Sequence, residues 1–422
     1  MMHKQTETVM SAHATNGAAA RTDDGFGFRL WSFEFSSLCA INVLAFCNLA
    51  IFYGFYSYLA EIGIPPHWRG PLLALGPFTS LLARPFLGRF LTLGNGVGFM
   101  RLGLCLATAA LLSYPFATSI PALVVVRVLH GAGYVTLVGG LMGILTVFLP
   151  REKSAQGFGI YSITMLVPNA LMPPFVEFLL PHLPGPGVVY AVAAPLMLPA
   201  FLLLIPLGRK TRALAAKLPQ AEGQRPDWTE VRQGLAAPGV LALVATNLFF
   251  LVAFSLVFFF MRDFAASIGA GNPGVFFTIV NLSIIAVRLL FGEALNHVNQ
   301  GRVLFLAFVG LALLVPLFGL AGGPALLWVM AVGYGTGIAL TMPLINAGML
   351  TISPPRLRAF NANLLMLAVD AGFLLGPILG GALTATLWTR SELFVLAGAF
   401  LALAAGCVLP AIRLMRRPRL MT

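Results

Sequence analysis

The chain has 422 residues, 59% of them hydrophobic and 9% charged, with a formal net charge of +12. A soluble domain carries about 25% charged residues, so these proportions exclude an ordinary globular protein and describe a chain that crosses a bilayer repeatedly. The positive excess is topological, as its placement shows below, and calls for no nucleic-acid partner.

Residues 1–35 are polar and Ala-rich and lack a continuous apolar core, so they read as a flexible cytoplasmic tail and not as a signal peptide. Twelve apolar stretches follow, near 36–60, 71–92, 99–117, 121–148, 157–180, 187–207, 238–261, 273–296, 302–320, 324–350, 359–386 and 392–413. Each is about 20 residues or longer, the length a helix needs to span hydrocarbon. Lipid offers backbone groups no partner, so such runs form helices. A barrel's alternation is absent, since LALVATNLFFLVAFSLVFFF (241–260) is apolar on every side. The connections are short except for the polar interval 208–237, which separates a bundle of six helices at 36–207 from a second at 238–413, with a basic tail at 414–422. Cys39, Cys47, Cys105 and Cys407 all lie in apolar segments without metal-like spacing and read as small hydrophobes. No metal or cofactor is expected.

An even number of spans puts both termini on one side. Most of the 26 Lys and Arg residues fall on that side. Only Arg69, Arg262 and Arg390 fall on the other, while Arg84, Arg127 and Arg288 lie within helices. The positive-inside rule therefore predicts cytoplasmic termini in an inner or plasma membrane.

The two halves repeat. ARPFLGRFLTLGN (83–95) returns as VRLLFGEALNHVN (287–299), with Arg84 matching Arg288 and Gly88 matching Gly292 at an offset of 204. HGAGYVT (130–136) faces YGTGIAL (334–340) at the same offset. Six helices per repeat preserve orientation, so the repeat is parallel, an arrangement of transporters with a midplane site.

These residues resemble the major facilitator superfamily. GRFLTLGNG (88–96) is similar to the loop motif that follows the family's second helix, with Thr92 in the place of the usual Asp and no basic end. RVLHGAG (127–133) looks like its helix-4 motif. DAGFLLGPILGG (370–381) resembles its antiporter Gly-Pro motif, here in the eleventh helix instead of the fifth. The resemblance covers essentially the whole chain. It implies an all-α integral membrane fold of twelve helices in two parallel-related six-helix bundles, with helices 1, 4, 7 and 10 lining a central cavity.

Charges inside the membrane are the candidate functional residues, because burying one costs free energy unless it is paired or used. Arg127 sits roughly 10 Å into its helix at about 1.5 Å per residue. It reads as an attractor of an anionic group, or as an arginine capping carbonyls. His130, one turn on, is a candidate proton relay or a hydrogen-bonded core residue. Asp370 and Arg84 lie about 16 and 13 Å from the cytoplasmic end of their helices. In the resembled fold those two helices meet, so an Arg84–Asp370 latch between the halves is predicted, favouring the outward-open state and released by protonation. Arg84, Gly88, Arg288 and Gly292 form the latch elements. Arg288 has no acid at matching depth in the fifth helix, which makes the latch one-sided. Asn42, Asn48, Asn247 and Asn346 are substrate-contact candidates, with interhelical packing as the alternative. Gly372, Gly376 and Gly380 allow close helix packing, and Pro377 a kink. Glu34, Glu61, Arg69 and Glu177 read as solvated interfacial residues.

No phosphate loop, zincin motif or nucleophile elbow is present, so the chain is not expected to be an enzyme. The first reading is proton-coupled export of a small organic molecule by alternating access, working as a monomer with small-molecule substrate, protons and lipid as partners. The second is uptake of an organic anion, proton-coupled or facilitated. A transporter-like membrane sensor or scaffold is the reading from another class, and a membrane enzyme the weakest.

Overall fold

The computed structural model describes residues 31–148, 154–216, 229, 232, 239–291, 298–354, 357–386 and 388–415. Most of the N-terminal tail, most of the central interval, Gly292 and the basic tail from 416 lie outside the described residues. All regular structure among the described residues is helical.

The first bundle begins with α1, a span over Phe33–Glu61. A 3-10 turn at Ile51–Gly54 interrupts it. Then come α2 (Pro66–Phe90), α3 (Gly96–Ser113), α4 (Ile120–Phe148) and α5 (Ser154–Leu179). The span α6 covers Val188–Ala215. A 3-10 segment at Ala194–Met197 breaks it, where Pro195 supplies no backbone donor. The second bundle comprises α7 (Val240–Ser267), α8 (Val275–Phe291), α9 (Gln300–Leu317), α10 (Pro324–Ile352), α11 (Arg358–Thr384) and α12 (Arg390–Ile412). Ten stretches are long and apolar enough to cross a membrane, and Val275–Phe291 is a shorter apolar one. The remaining long helix, α2, carries Arg69, Arg84 and Arg89 and is punctuated by Pro71, Pro77 and Pro85. The chain is thus a multi-pass integral membrane protein. The sixth span runs past 207 to Ala215, which places Lys210 beside Glu34 at 2.6 Å. Glu34 is therefore paired, against the expectation of simple solvation.

Within the first bundle α4 packs on α2 and α3, and α1 on α5. Within the second, α12 packs on α7 and α9, α11 on α7, and α8 on α10. The two bundles meet along α2 with α11 and along α5 with α8. The second helix of each half therefore lies against the fifth helix of the other, and the sequence repeat becomes a near-symmetric pair of seams. The face carrying Trp31 and Met415 is the terminal face, and the opposite one the far face.

Glycine and proline shape both seams near the far face. Gly70 of α2 leaves no room for a Cβ against the backbone of Pro377 and Gly381 in α11. Gly274, at the start of α8, does the same against Pro173 and Pro174 of α5. The contacts between α1 and α7 concentrate on the part of α1 from Ile51 to Glu61. The bundles are in contact at the far face.

Candidate functional site

The α2–α11 seam holds an ion pair between the halves. Arg84 Nε donates to Asp370 Oδ2 at 2.7 Å and Nη2 to Oδ1 at 3.2 Å, a side-on bidentate geometry. Nη2 also reaches Ser80 Oγ at 3.4 Å, one turn earlier on the same face. Asp370 is 5% exposed. Gly88 lies one turn beyond Arg84 in the helix. The sequence ties this pair to an outward-open arrangement. Here it coexists with the Arg262–Glu177 contact between the bundles at the far face, and Asp370 stands about 18 Å along α11 from its terminal-face end, near the middle of the helix.

The far face carries a second set of inter-bundle charges that sequence reasoning missed. Arg262 Nε donates to Glu177 Oε1 at 2.5 Å and Nη2 to Oε2 at 3.3 Å. The Tyr53 hydroxyl donates to the same Oε1. Glu61 lies 3.8 Å from Arg262 Nη1, and Gly54 leaves the space the arginine stem fills. The next residue, Asp263, accepts from Ser57 of α1 and, at 3.0 Å, from Arg390 at the start of α12. Glu177 is thus not a simply solvated interfacial acid but a half-buried member of a cross-bundle pair. Arg69 caps the Ile64 carbonyl at 2.8 Å.

Arg127 lies inside the first bundle. Its Nε donates to the Leu72 carbonyl at 3.0 Å and its Nη2 to the Leu73 carbonyl at 2.8 Å. Pro77 cannot donate to Leu73, so the guanidinium supplies the proton the helix lacks. Nη1 reaches the Tyr114 hydroxyl at 3.4 Å, and the cation lies over Phe55 and Phe52 at 4.7 and 5.4 Å. His130 contacts Tyr114 through Nδ1 at 3.3 Å and packs edge-on to Phe52. The geometry is that of a carbonyl-capping arginine in an aromatic cage.

Arg288 is placed differently. Its Nη1 donates to Ser162 Oγ of α5 at 3.2 Å, across the second seam, while its Nε is buried without a partner.

The asparagines divide. Asn42 is fully buried between Tyr161 and Thr164, donating to Thr164 Oγ1 at 2.8 Å and accepting from Tyr161 at 2.9 Å. It is an α1–α5 packing bond, which removes the reason to place it in a cavity. Asn247 donates to the Leu365 carbonyl of α11 at 2.9 Å, and its Oδ1 is buried without a partner. Asn48 Oδ1 is likewise buried and unpartnered. Asn346 is exposed and bonds only its own helix, at Met342.

Gly372, Gly376 and Gly380 line α11 where it crosses α7, against Leu251, Ser255 and Phe260. Ser255 Oγ donates to the Gly372 carbonyl at 3.0 Å. Among the described residues no group of His, Cys, Asp and Glu could hold a metal ion.

Comparison with known proteins matches this architecture. The profile described as Major Facilitator Superfamily matches residues 38–368. The chain is 23% identical over 326 residues to the staphylopine export protein of Staphylococcus aureus (strain Mu50 / ATCC 700699), covering 72% of this chain and 77% of that protein. It shares the fold of the nucleoside transporter NupG, with a TM-score of 0.67 at 15% identity, covering 90% of this chain and 98% of that one. The peptide transporter POT in complex with sulfate gives a TM-score of 0.68 at 17% identity, covering 92% and 96%.

Proposed function

The chain belongs to the Major Facilitator Superfamily, and from that premise we propose that it exports a small organic molecule by alternating access, driven by proton exchange. It is a transporter and not an enzyme. The observation that carries the proposal is the Arg84–Asp370 pair, an intramembrane carboxylate held at 2.7 Å by an arginine of the other bundle. Such a pair lets one proton alter how the halves meet. With Asp370 charged, α2 and α11 are held together. With Asp370 protonated, the charge-assisted bonds weaken and the seam can part. The exporter among its relatives supports the direction. The Lys and Arg distribution supports cytoplasmic termini.

The test compares small-molecule profiles inside and outside cells carrying the wild type, Asp370→Asn or no copy. A compound that accumulates outside only with the wild type, and less at reduced proton gradient, supports proton-coupled export. Depletion of a compound from the medium reverses the direction. Equal profiles with well-folded protein present would leave a membrane scaffold as the better reading.

A further inference from the structure

The intramembrane arginines can be sorted by what neutralises them. Arg84 has Asp370, Arg262 has Glu177, and Arg127, without a carboxylate among the described residues, engages each of its nitrogens with two carbonyls and Tyr114 and lies over Phe52 and Phe55. Arg288 has no carboxylate partner among the described residues. It donates to one hydroxyl, Ser162 Oγ, at 3.2 Å, and its Nε is buried and unsatisfied. A cation in that condition is expensive in a membrane and marks a functional site.

The repeat sharpens the contrast. Arg84 and Arg288 are equivalent positions of the two halves, and each reaches across a seam to the fifth helix of the opposite bundle. Arg84 meets a carboxylate there. Arg288 meets a serine, whose proton is already committed to the Gly159 carbonyl at 2.7 Å. The serine can accept from the guanidinium but cannot neutralise it. Among the described residues one seam carries its own anion beside the arginine, and the other shows the cation without one.

We propose that Arg288 and Ser162 form the anion subsite of the transport site and that the solute carries a carboxylate or phosphate group. An oxyanion there would accept from Nε and complete the charge balance that Asp370 supplies at the other seam. It would also tie α5 to α8, so the solute itself would help hold the bundles together. This inference rests on the transport reading and assigns its substrate class. The same oxyanion chemistry exists in a phospholipid headgroup, and the experiment separates the two sources.

Energised everted vesicles containing wild type, Arg288→Gln, Ser162→Asp or no copy are offered a deproteinised cell extract, and their contents are read by mass spectrometry. The expected solutes are organic anions, captured by the wild type and reduced at least about tenfold by Arg288→Gln, the order of one lost charge-assisted pair. Ser162→Asp gives Arg288 a built-in partner, so it should melt at or above the wild type yet lose the same solutes. Capture of neutral or cationic solutes only, or undiminished capture by Ser162→Asp, overturns the proposal. In nanodiscs of phosphatidylcholine with or without phosphatidylglycerol, stabilisation by the anionic lipid that Arg288→Gln abolishes, with transport unchanged, assigns the anion to lipid and also overturns it. Failure of the wild type to capture any solute is seen before variants are compared, and removes the transport reading itself.

Discussion

Thr278 of α8 donates through Oγ1 to the Ala170 carbonyl of α5 at 2.6 Å. Pro174 lies four residues after Ala170 and has no N–H to give it. A hydroxyl from one bundle thus satisfies a carbonyl the other bundle leaves open. Nearby, Asn272 donates to the Pro174 carbonyl at 3.1 Å. A proline that breaks a helical bond here creates an acceptor for the opposing half. Thr278→Val keeps the shape and removes the donor. It should cost about 0.6 kcal/mol, the usual worth of such bonds in membranes, and increase hydrogen exchange at the start of α8. Unchanged exchange there would show that the seam does not depend on this bond.

The Arg262–Glu177 pair should be the strongest polar contact of the far face. Arg262→Ala leaves the half-buried Glu177 beside Tyr53 without its cation, which costs about 1–3 kcal/mol, the order of a lost hydrogen bond to a charged group. Exchange of the segment around Ile51–Glu61 should rise, and thermal stability should fall. Arg262→Gln with Glu177→Gln removes both charges together and should recover most of the loss. If the double variant is as unstable as Arg262→Ala, the damage comes from lost packing against Gly54 and not from an unpaired charge.

Arg127 should behave as a structural residue of the first bundle. Removing its two bonds to the Leu72 and Leu73 carbonyls should cost at least about 3 kcal/mol, given 1.5–3 kcal/mol for each bond to a charged group, and the longer contact to Tyr114 adds to the loss. Arg127→Lys cannot span both carbonyls and Tyr114 and should recover less than half of the loss. The readout is the thermal melt of purified protein. A melt unchanged in Arg127→Ala with transport abolished would return this residue to the substrate path.

Two glycines make a paired test of the helix seams. At Gly376 an added Cβ collides with Ser255 Oγ, whereas at Gly139 it meets nothing within 4 Å. Gly376→Ala should force α11 off α7 and lower the melting temperature by several degrees, an overpacking cost of about 1–3 kcal/mol. Gly139→Ala should be neutral or gain up to about 1 kcal/mol of helix propensity. Equal melts would mean that α11 shifts without penalty.

The spans and the division into halves were legible because lipid forces long apolar runs into helices, and such runs can be read locally. The Arg84–Asp370 contact was legible because both residues sit at similar depths on helices that meet in the resembled fold. The Arg262–Glu177 contact was not. Each residue stands near a loop, where solvation is the ordinary state, and the Tyr53 hydroxyl and Gly54 that enclose them are ordinary residues in sequence. Arg127 was ambiguous because its partners are backbone carbonyls, although Pro77 one helix away announced a missing donor. Asn42 shows the same limit: its helix lines the cavity in the resembled fold, but its rotational position turns it to Tyr161.

The two arginine–carboxylate pairs have opposite polarity across the bundles. The first half brings Arg84 and Glu177, and the second brings Asp370 and Arg262. During synthesis the first half therefore enters the bilayer with a cation and an anion whose counterparts are not yet translated. An isolated first bundle would carry both side chains unpaired, and an unpaired charge in the membrane is costly. The two contacts can form only once both halves are present, so each bundle holds the counter-charge that the other lacks.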